Sequence, residues 1–388
     1  MSRIDELIKD LCPDGVEYLA VSELFDLRNG YTPSKSNSTF WEDGSVPWFR
    51  MEDIRENGRI LDNSLQKISD SAVKGGKLFP ANSILVATSA TIGEHALITV
   101  PHLSNQRFTS LSLKPAFSSR LTMKFAYYYG FVLGEWCRKN TTTSSFASVD
   151  MVGFKRFKFP VPPLEVQRVI VDILDQFVKL EAELEAELEA RKQQYEYYRG
   201  QILSFVDSAE WQTIGECLDL KAGRSIKAAE ISPIASAERG VRCFGGNGVR
   251  GFVAIGSHHG SYPLIGRQGA LCGNVNWVEG EFYATEHAVV AVPKAGIDSR
   301  WVYHMLTEMN LNQYATKSAQ PGLSVSRLNQ VRIPVPSLME QQEAASLLDA
   351  FDALVNDLSS GLPAEIAARR KQYEYYRDKL LTFKELAS

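Results

Sequence analysis

The chain carries almost no reactive chemistry. Its five cysteines, Cys12, Cys137, Cys217, Cys243 and Cys272, are scattered and show no CxxC spacing, so neither a disulfide framework nor a zinc site is expected. No GxxxxGK[ST] occurs, no HExxH, no His/Cys cluster and no Asn-Pro-Pro-aromatic tetrad of the kind amino-methyltransferases use. Gly246, Gly248 and Gly251 satisfy GxGxxG, but residues 252–255 alternate like a strand and offer no helix N-terminus for a pyrophosphate. Asn247-Gly248 is better read as a hairpin turn. No catalytic residue, no metal ligand and no cofactor bound by this chain is therefore expected. Nor is there an apolar run of about eighteen residues to span a membrane, or an opening signal peptide, so a cytoplasmic protein with no membrane contact is expected.

A strong positive charge is also missing: the formal net charge is -4. Divided by segment, the deficit is local. Residues 14–160 hold 17 basic against 14 acidic side chains and residues 209–336 hold 12 against 10, whereas residues 161–208 hold 5 against 10 and 337–388 hold 6 against 9. The acidity lies outside the two central segments, which leaves those free to meet phosphate.

What the chain does contain is itself, twice. ARKQQYEYYRGQILSF at 190–205 returns as ARRKQYEYYRDKLLTF at 368–383, with the pentad YEYYR repeated 178 positions on. PVPPLEVQ (160–167) returns as PVPSLMEQ (334–341), Leu174, Asp175 and Phe177 return as Leu348, Asp349 and Phe351, and EYLAVSELFDLRNG (17–30) aligns with EWQTIGECLDLKAG (210–223). The expected domains are residues 1–160, a helix over 161–208, residues 209–336, and a second helix over 337–388.

In the first helix Val166, Ile170, Ile173, Phe177, Leu180 and Leu184 follow a heptad seam, and the LEAE repeat then inserts a stutter before Leu188, Arg191, Tyr195, Tyr198, Ile202 and Phe205. Continuous helix is expected from Leu164 to Phe205. The second seam, Leu347, Phe351, Leu354 and Leu358, meets Gly361-Leu362-Pro363, where a break is expected, and resumes through Ile366, Tyr373, Tyr376, Leu380 and Phe383. Two such seams favour antiparallel pairing. The plain alternative is a dimerisation coil.

The central segments alternate short β-rich runs with turns before a helical stretch, the pattern of a mixed α/β domain. Their glycine-flanked polar loops, GYTPSK (30–35), PWFRMEDI (47–54), SNQRF (104–108), GRQGALCGN (266–274), ATEHA (284–288) and QPGLS (320–324), supply groups that can address base edges or phosphates. Arg pairs with guanine, Asn and Gln with adenine, and acids accept from cytosine. One such loop alone is more often a solvated turn. Their recurrence at matched places in both halves makes the candidate DNA contacts Tyr31, Thr32, Ser34, Lys35, Arg50, Ser89, Gln106 and Arg107 in the first half, and Asn247, Arg250, Arg267, Gln268, Glu286, His287 and Ser324 in the second. Arg199 and Arg377 stand one residue off the tyrosine seam and are the candidate partner-binding residues.

The doubled YEYYR helix ends, the PVP-led helix starts, GYTPSK and the GGNG, IGRQGALCGN and ATEHA series resemble the specificity subunit of Type I DNA restriction-modification systems over nearly the whole chain. The resemblance implies two target-recognition domains, each reading half of a bipartite site in double-stranded DNA, separated by two long antiparallel helices in a coiled coil, with an internal pseudo-twofold repeat. It implies recruitment of two methyltransferase (modification) subunits and of restriction/translocase subunits. S-adenosylmethionine would then enter through the modification subunit, and ATP and magnesium through the restriction subunit. A methyltransferase-nuclease fusion partner, a stand-alone DNA-binding regulator and a structural coiled-coil scaffold are the alternatives.

Overall fold

The computed structural model describes residues 3–142, 147–204, 209–269, 271–316, 321–357 and 359–387. Phe205, Leu358, Ala270 and Gln320 of the sequence reading lie outside them. The chain forms two compact units, one of Met1–Ala182 with Ala368–Ser388 and the other of Glu183–Ala367. Each long helix is thus shared between units instead of forming a helical module of its own.

The repeated strings explain how each unit closes. In the first, Glu17–Ala20 pairs antiparallel with Lys158–Val161, setting Tyr18 opposite Pro160; in the second, Glu210–Thr213 pairs with Arg332–Val335, setting Trp211 opposite Pro334. Proline is tolerated because each pair is a free-standing two-stranded ribbon. These clasps bring the start and end of each globular domain together where its helix begins. In the first unit the C-terminal segment joins the clasp: Val16 N donates to Lys384 O at 2.9 Å, Leu386 N donates to Val16 O at 2.9 Å, and the Tyr18 hydroxyl donates to Phe383 O at 3.2 Å.

Within the first unit, a five-stranded sheet runs in the order Phe25–Asn29, Phe108–Leu113, Ser83–Ala87, His95–Ile98, Ile60–Leu61. The second unit has four strands, Leu218–Ala222, Ala288–Pro293, Tyr262–Gly266 and Val275–Val278. Helices Met123–Lys139 and Ser299–Glu308 back these sheets. Each unit adds a smaller sheet built on a parallel pair, Val46–Phe49 with Leu103–Ser104 and Val241–Gly245 with Glu281–Ala284. The GGNG segment is a hairpin as expected, but its two turn residues are Gly246-Asn247, with Gly248 taking the positive φ of 89°.

The long helix is unbroken over Leu164–Ile202, through the LEAE stutter, while the second is split into Leu338–Asn356 and Leu362–Leu380. Inside the first unit Phe177 stacks on Tyr376 with centroids 5.7 Å apart, and Glu181 pairs with Arg370. One helix ascends in number as the other descends, so the pair is antiparallel. In the second unit Phe351 stacks on Tyr195 and Tyr198.

The seam alone does not decide burial. Val166, Ile170, Val171 and Leu174 belong to the first core and Ala344, Ala345 and Leu348 to the second, whereas the seam residues Leu180, Leu347 and Leu354 are exposed. The helices serve two partners at once, the other helix and the globular domain, and the domain claims the stronger face.

Two polar locks fix that face. Buried Gln167 accepts from the backbone N of Thr122 at 2.9 Å and donates to Arg120 O and Pro162 O at 2.7 and 2.8 Å. Gln341 repeats this on Asp298 N, Gly296 O and Pro336 O. Two turns along, Asp175 accepts from Lys124 and Tyr128, both at 2.6 Å, while Asp349 accepts from Arg300 and His304. Burial raises the Asp349 carboxyl, but hydrogen bonds and charge from Arg300 and His304 outweigh it and hold the group below the usual carboxylate range.

Candidate DNA-reading loops

Each unit presents one matched construction. The strand Leu103–Ser104 of the small sheet passes through residues 105–107 into Phe108–Leu113 of the large sheet; Glu281–Ala284 passes through 285–287 into Ala288–Pro293. The bonds around the two crossings correspond one for one. Gly30 N donates to Phe108 O and Tyr31 N to Ser104 O; Gly223 N donates to Ala288 O and Arg224 N to Ala284 O. Thr88 N donates to Arg107 O as Arg267 N does to His287 O, and Ser89 bridges Ser148 as Gln268 bridges Gly322. SNQRF therefore occupies in one unit the place of ATEHA in the other, and Gln106 corresponds to Glu286.

Glycine is obligatory beside each crossing. A Cβ on Gly30 would lie 2.2 Å from Asn105 O, and one on Gly223 would lie 2.1 Å from Ala284 O. The missing side chain lets the GYTPSK strap lie against the crossing, so the Thr32 hydroxyl donates to Gln106 Oε1 at 2.5 Å.

In the first unit Thr32, Lys35, Arg50, Gln106 and Arg107 line one open cleft of about 630 Å³. Arg50 stands at the start of helix Met51–Asn57, its guanidinium 5.7 Å over the Trp48 ring, and its backbone N donates to buried Asp53 at 2.6 Å. Trp41, Glu42, Trp48 and Glu52 share the cleft; Trp48 and Glu52 belong to the PWFRMEDI loop, whereas Trp41 and Glu42 lie outside every loop marked by the sequence. Ser34 is exposed on the strap beside the cleft, bonded to Ser36 at 2.8 Å. Two expectations change. The Tyr31 hydroxyl turns inward, donating to Ala72 O at 3.0 Å and accepting from Lys74 N at 2.8 Å, so it braces residues 72–74 instead of facing outward. Ser89 does not line this cleft. It precedes Ala90, whose φ is 63°, beside a second cleft of about 650 Å³ bearing Arg55, Arg59 and Arg138.

In the second unit Asn247, Arg250, Gln268 and His287 line one open cleft of about 490 Å³. Arg267 and Glu286 are not among its lining residues: Arg267 is half-buried, and Glu286 lies with Oε1 3.6 Å from His287 Nε2. Ser324 stands apart as the residue before the short helix Val325–Leu328, bonded to Ser326 at 2.8 Å.

Among the described residues, the buried side-chain polar atoms without a partner concentrate here: Arg50 Nε and Ser104 Oγ in the first unit, and Arg267 Nε, Thr285 Oγ1, Glu286 Oε2 and His287 Nδ1 in the second. An unmade hydrogen bond in a buried setting costs about 1–3 kcal/mol, which makes these atoms candidates for contact with a polar ligand or with water. No group of His, Cys, Asp and Glu that could hold a metal occurs among the described residues. All five cysteines are buried, and burial pushes the Cys137 thiol up to about 12.

Arg199 and Arg377 do not face outward as their seam spacing suggests. Arg199 Nε donates to Glu308 at 2.7 Å and its side chain is 17% exposed; Arg377 packs 4.8 Å over the Phe131 ring and is 14% exposed. Both point to the globular domain of their own unit. The most exposed tyrosines of the repeated pentad are Tyr197 and Tyr375, at 63% and 62%. No helix among the described residues is long and apolar enough to cross a membrane.

Comparison with known proteins agrees with this architecture. Residues 13–190 and 257–368 match the family described as the Type I restriction modification DNA specificity domain. The chain is 56% identical over 373 residues to the specificity subunit of the Type I restriction enzyme EcoprrI of Escherichia coli, covering 92% of this chain and 93% of that protein. It is 30% identical to the EcoR124I/EcoR124II specificity subunit of the same organism, covering 68% and 72%. Among solved structures, the S subunit of the Type I restriction-modification system of M. genitalium superposes with a TM-score of 0.53 at 18% identity, covering 94% and 95%. A chain from a study of complex assembly and conformational transition of the type I R-M system gives 0.69 at 14%, covering 95% and 98%. With three quarters of its length inside the family match and the doubled clasp, helix and reading loop in each unit, the chain belongs to the Type I restriction-modification specificity subunits.

Proposed function

We propose that this chain is the DNA-reading component of a Type I restriction-modification complex, in which each unit reads one half of a bipartite asymmetric site and neither performs chemistry. The observation that carries this reading is the matched pair of loop crossings, alike in backbone and different in side chains, each crowned by unpartnered polar groups. A common scaffold with divergent loops gives two readers of the same geometry and different taste. Lys35, Arg50 and Arg107 in one cleft, and Arg250 in the other with Arg267 next in sequence to its residue Gln268, offer charge to phosphates and paired donors to guanine edges, while Gln106, Asn247, Gln268 and Glu286 address the remaining base edges.

The locks at Gln167, Asp175, Gln341 and Asp349 hold each reading domain at a fixed attitude to its own helix segment, so that a half-site bound by the loops has a defined place relative to whatever the helix recruits. The recruited partners are two methyltransferase subunits, with restriction/translocase subunits joining them, in the cytoplasm. S-adenosylmethionine enters through the modification subunit, and ATP and magnesium through the restriction subunit; this chain holds none of them. The exposed Tyr197 and Tyr375, at equivalent places in the repeat, are the docking candidates for the modification subunits.

The test is to supply labelled S-adenosylmethionine and DNA to the purified chain, to Type I modification subunits, and to both together. Methyl transfer at one bipartite site only in the combined reaction supports the reading. Transfer by the chain alone, or transfer without site preference in the complex, contradicts it.

A further inference from the structure

The structurally equivalent residues Gln106 and Glu286 differ in hydrogen-bonding polarity, and we infer that they are a matched pair of specificity determinants. Gln106 selects a keto base (guanine or thymine) in one half-site, and Glu286 selects an amino base (adenine or cytosine) in the other. This deepens the proposed DNA-reading function and rests on it.

The equivalence comes from backbone bonding on both sides of the residue. Phe108 and Ala288 accept from Gly30 and Gly223, Ser104 and Ala284 accept from Tyr31 and Arg224, and Arg107 and His287 accept from Thr88 and Arg267. The middle residue of each crossing is Gln106 in one unit and Glu286 in the other. In this structure the orientation of Gln106 is set by one neighbour. A glutamine amide can ordinarily turn either edge outward and so accept or donate. Here the Thr32 hydroxyl donates to Gln106 Oε1 at 2.5 Å, which holds the oxygen against the strap and leaves the amino group as the outward edge. Gln106 is exposed and lines the cleft, so that edge is free to reach a ligand. Glu286, as a carboxylate, only accepts; its Oε2 is buried without a partner, and its Oε1 lies beside His287.

In the major groove the base edge that alternates in polarity is the exocyclic group: guanine O6 and thymine O4 accept, while adenine N6 and cytosine N4 donate. The minor groove separates only A·T from G·C pairs, so a choice between keto and amino bases is read in the major groove. A donor held by Thr32 meets a keto oxygen and opposes an amino group; a carboxylate does the reverse.

The test uses the full chain assembled with Type I modification subunits and a pool of duplexes randomised across the site. Bound sequences are read from the parent and from Gln106→Glu, Glu286→Gln and Thr32→Val. The two isosteric exchanges are expected to invert preference at one position each, from keto to amino for Q106E and from amino to keto for E286Q, in different half-sites, by roughly ten- to hundredfold. Thr32→Val frees the amide to turn, and the keto preference at that same position is expected to fall toward one while the other positions hold. Unchanged base preference at every position in Q106E and E286Q, with the parent still selecting a bipartite site, overturns the assignment and leaves the DNA-reading function intact. A parent that enriches no bipartite sequence overturns both.

Discussion

Replacing Gln167 with leucine tests how the reading domain is held to its helix. The side chain is fully buried and makes four hydrogen bonds: it accepts from Thr122 N at 2.9 Å and Thr122 Oγ1 at 3.1 Å, and donates to Arg120 O and Pro162 O. Leucine fills nearly the same volume, so little cavity term arises and the loss is polar. Four net bonds at about 1 kcal/mol each give about 4 kcal/mol, with the buried backbone groups left unmatched keeping the figure from falling much lower. Because the chain has two units, a single global unfolding energy is not a suitable readout. Native-state hydrogen exchange is local: the Thr122 amide, which donates to Gln167, should open roughly a thousandfold more often, as should amides of the first helical turns after Leu164. Gln176→Leu, at an exposed position on the same helix, should change little. A loss below about 1 kcal/mol in Gln167→Leu would refute the idea that this lock fixes the helix base.

The remaining predictions concern acid, the pentad and the partner. His95 is held down at about 3 by burial and the Arg59 charge, and His102 at about 4 by burial. The unfolded chain therefore takes up these protons first, and the stability of the first unit should fall as pH drops below about 6.5, by up to about 1.4 kcal/mol per pH unit for each histidine until its folded value is reached. Urea midpoints followed at residues of the first unit alone, between pH 7 and 5, read this, and His102→Leu should remove about half the slope. Arg199→Glu places like charges beside Glu308 and should loosen the second unit by about 3 kcal/mol, visible as faster exchange around 300–308. Tyr197→Ala with Tyr375→Ala should leave exchange unchanged and weaken co-purification with modification subunits; the opposite pattern would return docking to the arginines.

The repeat carried much of this in plain view, because the segments that recur are those that bond to one another. EYLA and KFPV pair as the clasp, and the glutamine ending each PVP string and the aspartate two turns on anchor the domain helix. Side-chain direction was less legible. Heptad spacing ranks positions against one partner helix, but Arg199, Arg377, Leu174 and Leu348 answer to the globular domain, a contact between residues as far apart as 109 positions for Arg199 and Glu308 that no local period encodes. Leu347 and Leu354 fit the seam and are exposed for the same reason. The polar loop around Tyr31 points it outward on sequence grounds, yet its hydroxyl finds partners more than forty residues along. Asn105 and Thr285, inside SNQRF and ATEHA, set the turn through backbone carbonyls that accept from Phe108 N and Ala288 N; only Asn105 adds a side-chain signal, accepting from Arg107 N at 3.0 Å as an Asx turn.

Two independent readers on one scaffold predict separable effects of Arg107→Ala and Arg267→Ala when the variants are compared by target selection in the complex with modification subunits. Arg107 is exposed in the first cleft, and Arg267, next in sequence to the cleft residue Gln268, is half-buried with no hydrogen-bond partner at Nε. Each variant should relax selection in one half-site only, by about 1–3 kcal/mol per lost base contact, and leave the other half-site as it was. Relaxation of both half-sites by either variant, or uniform weakening across all sequences with a shallower dependence on salt, would contradict the account.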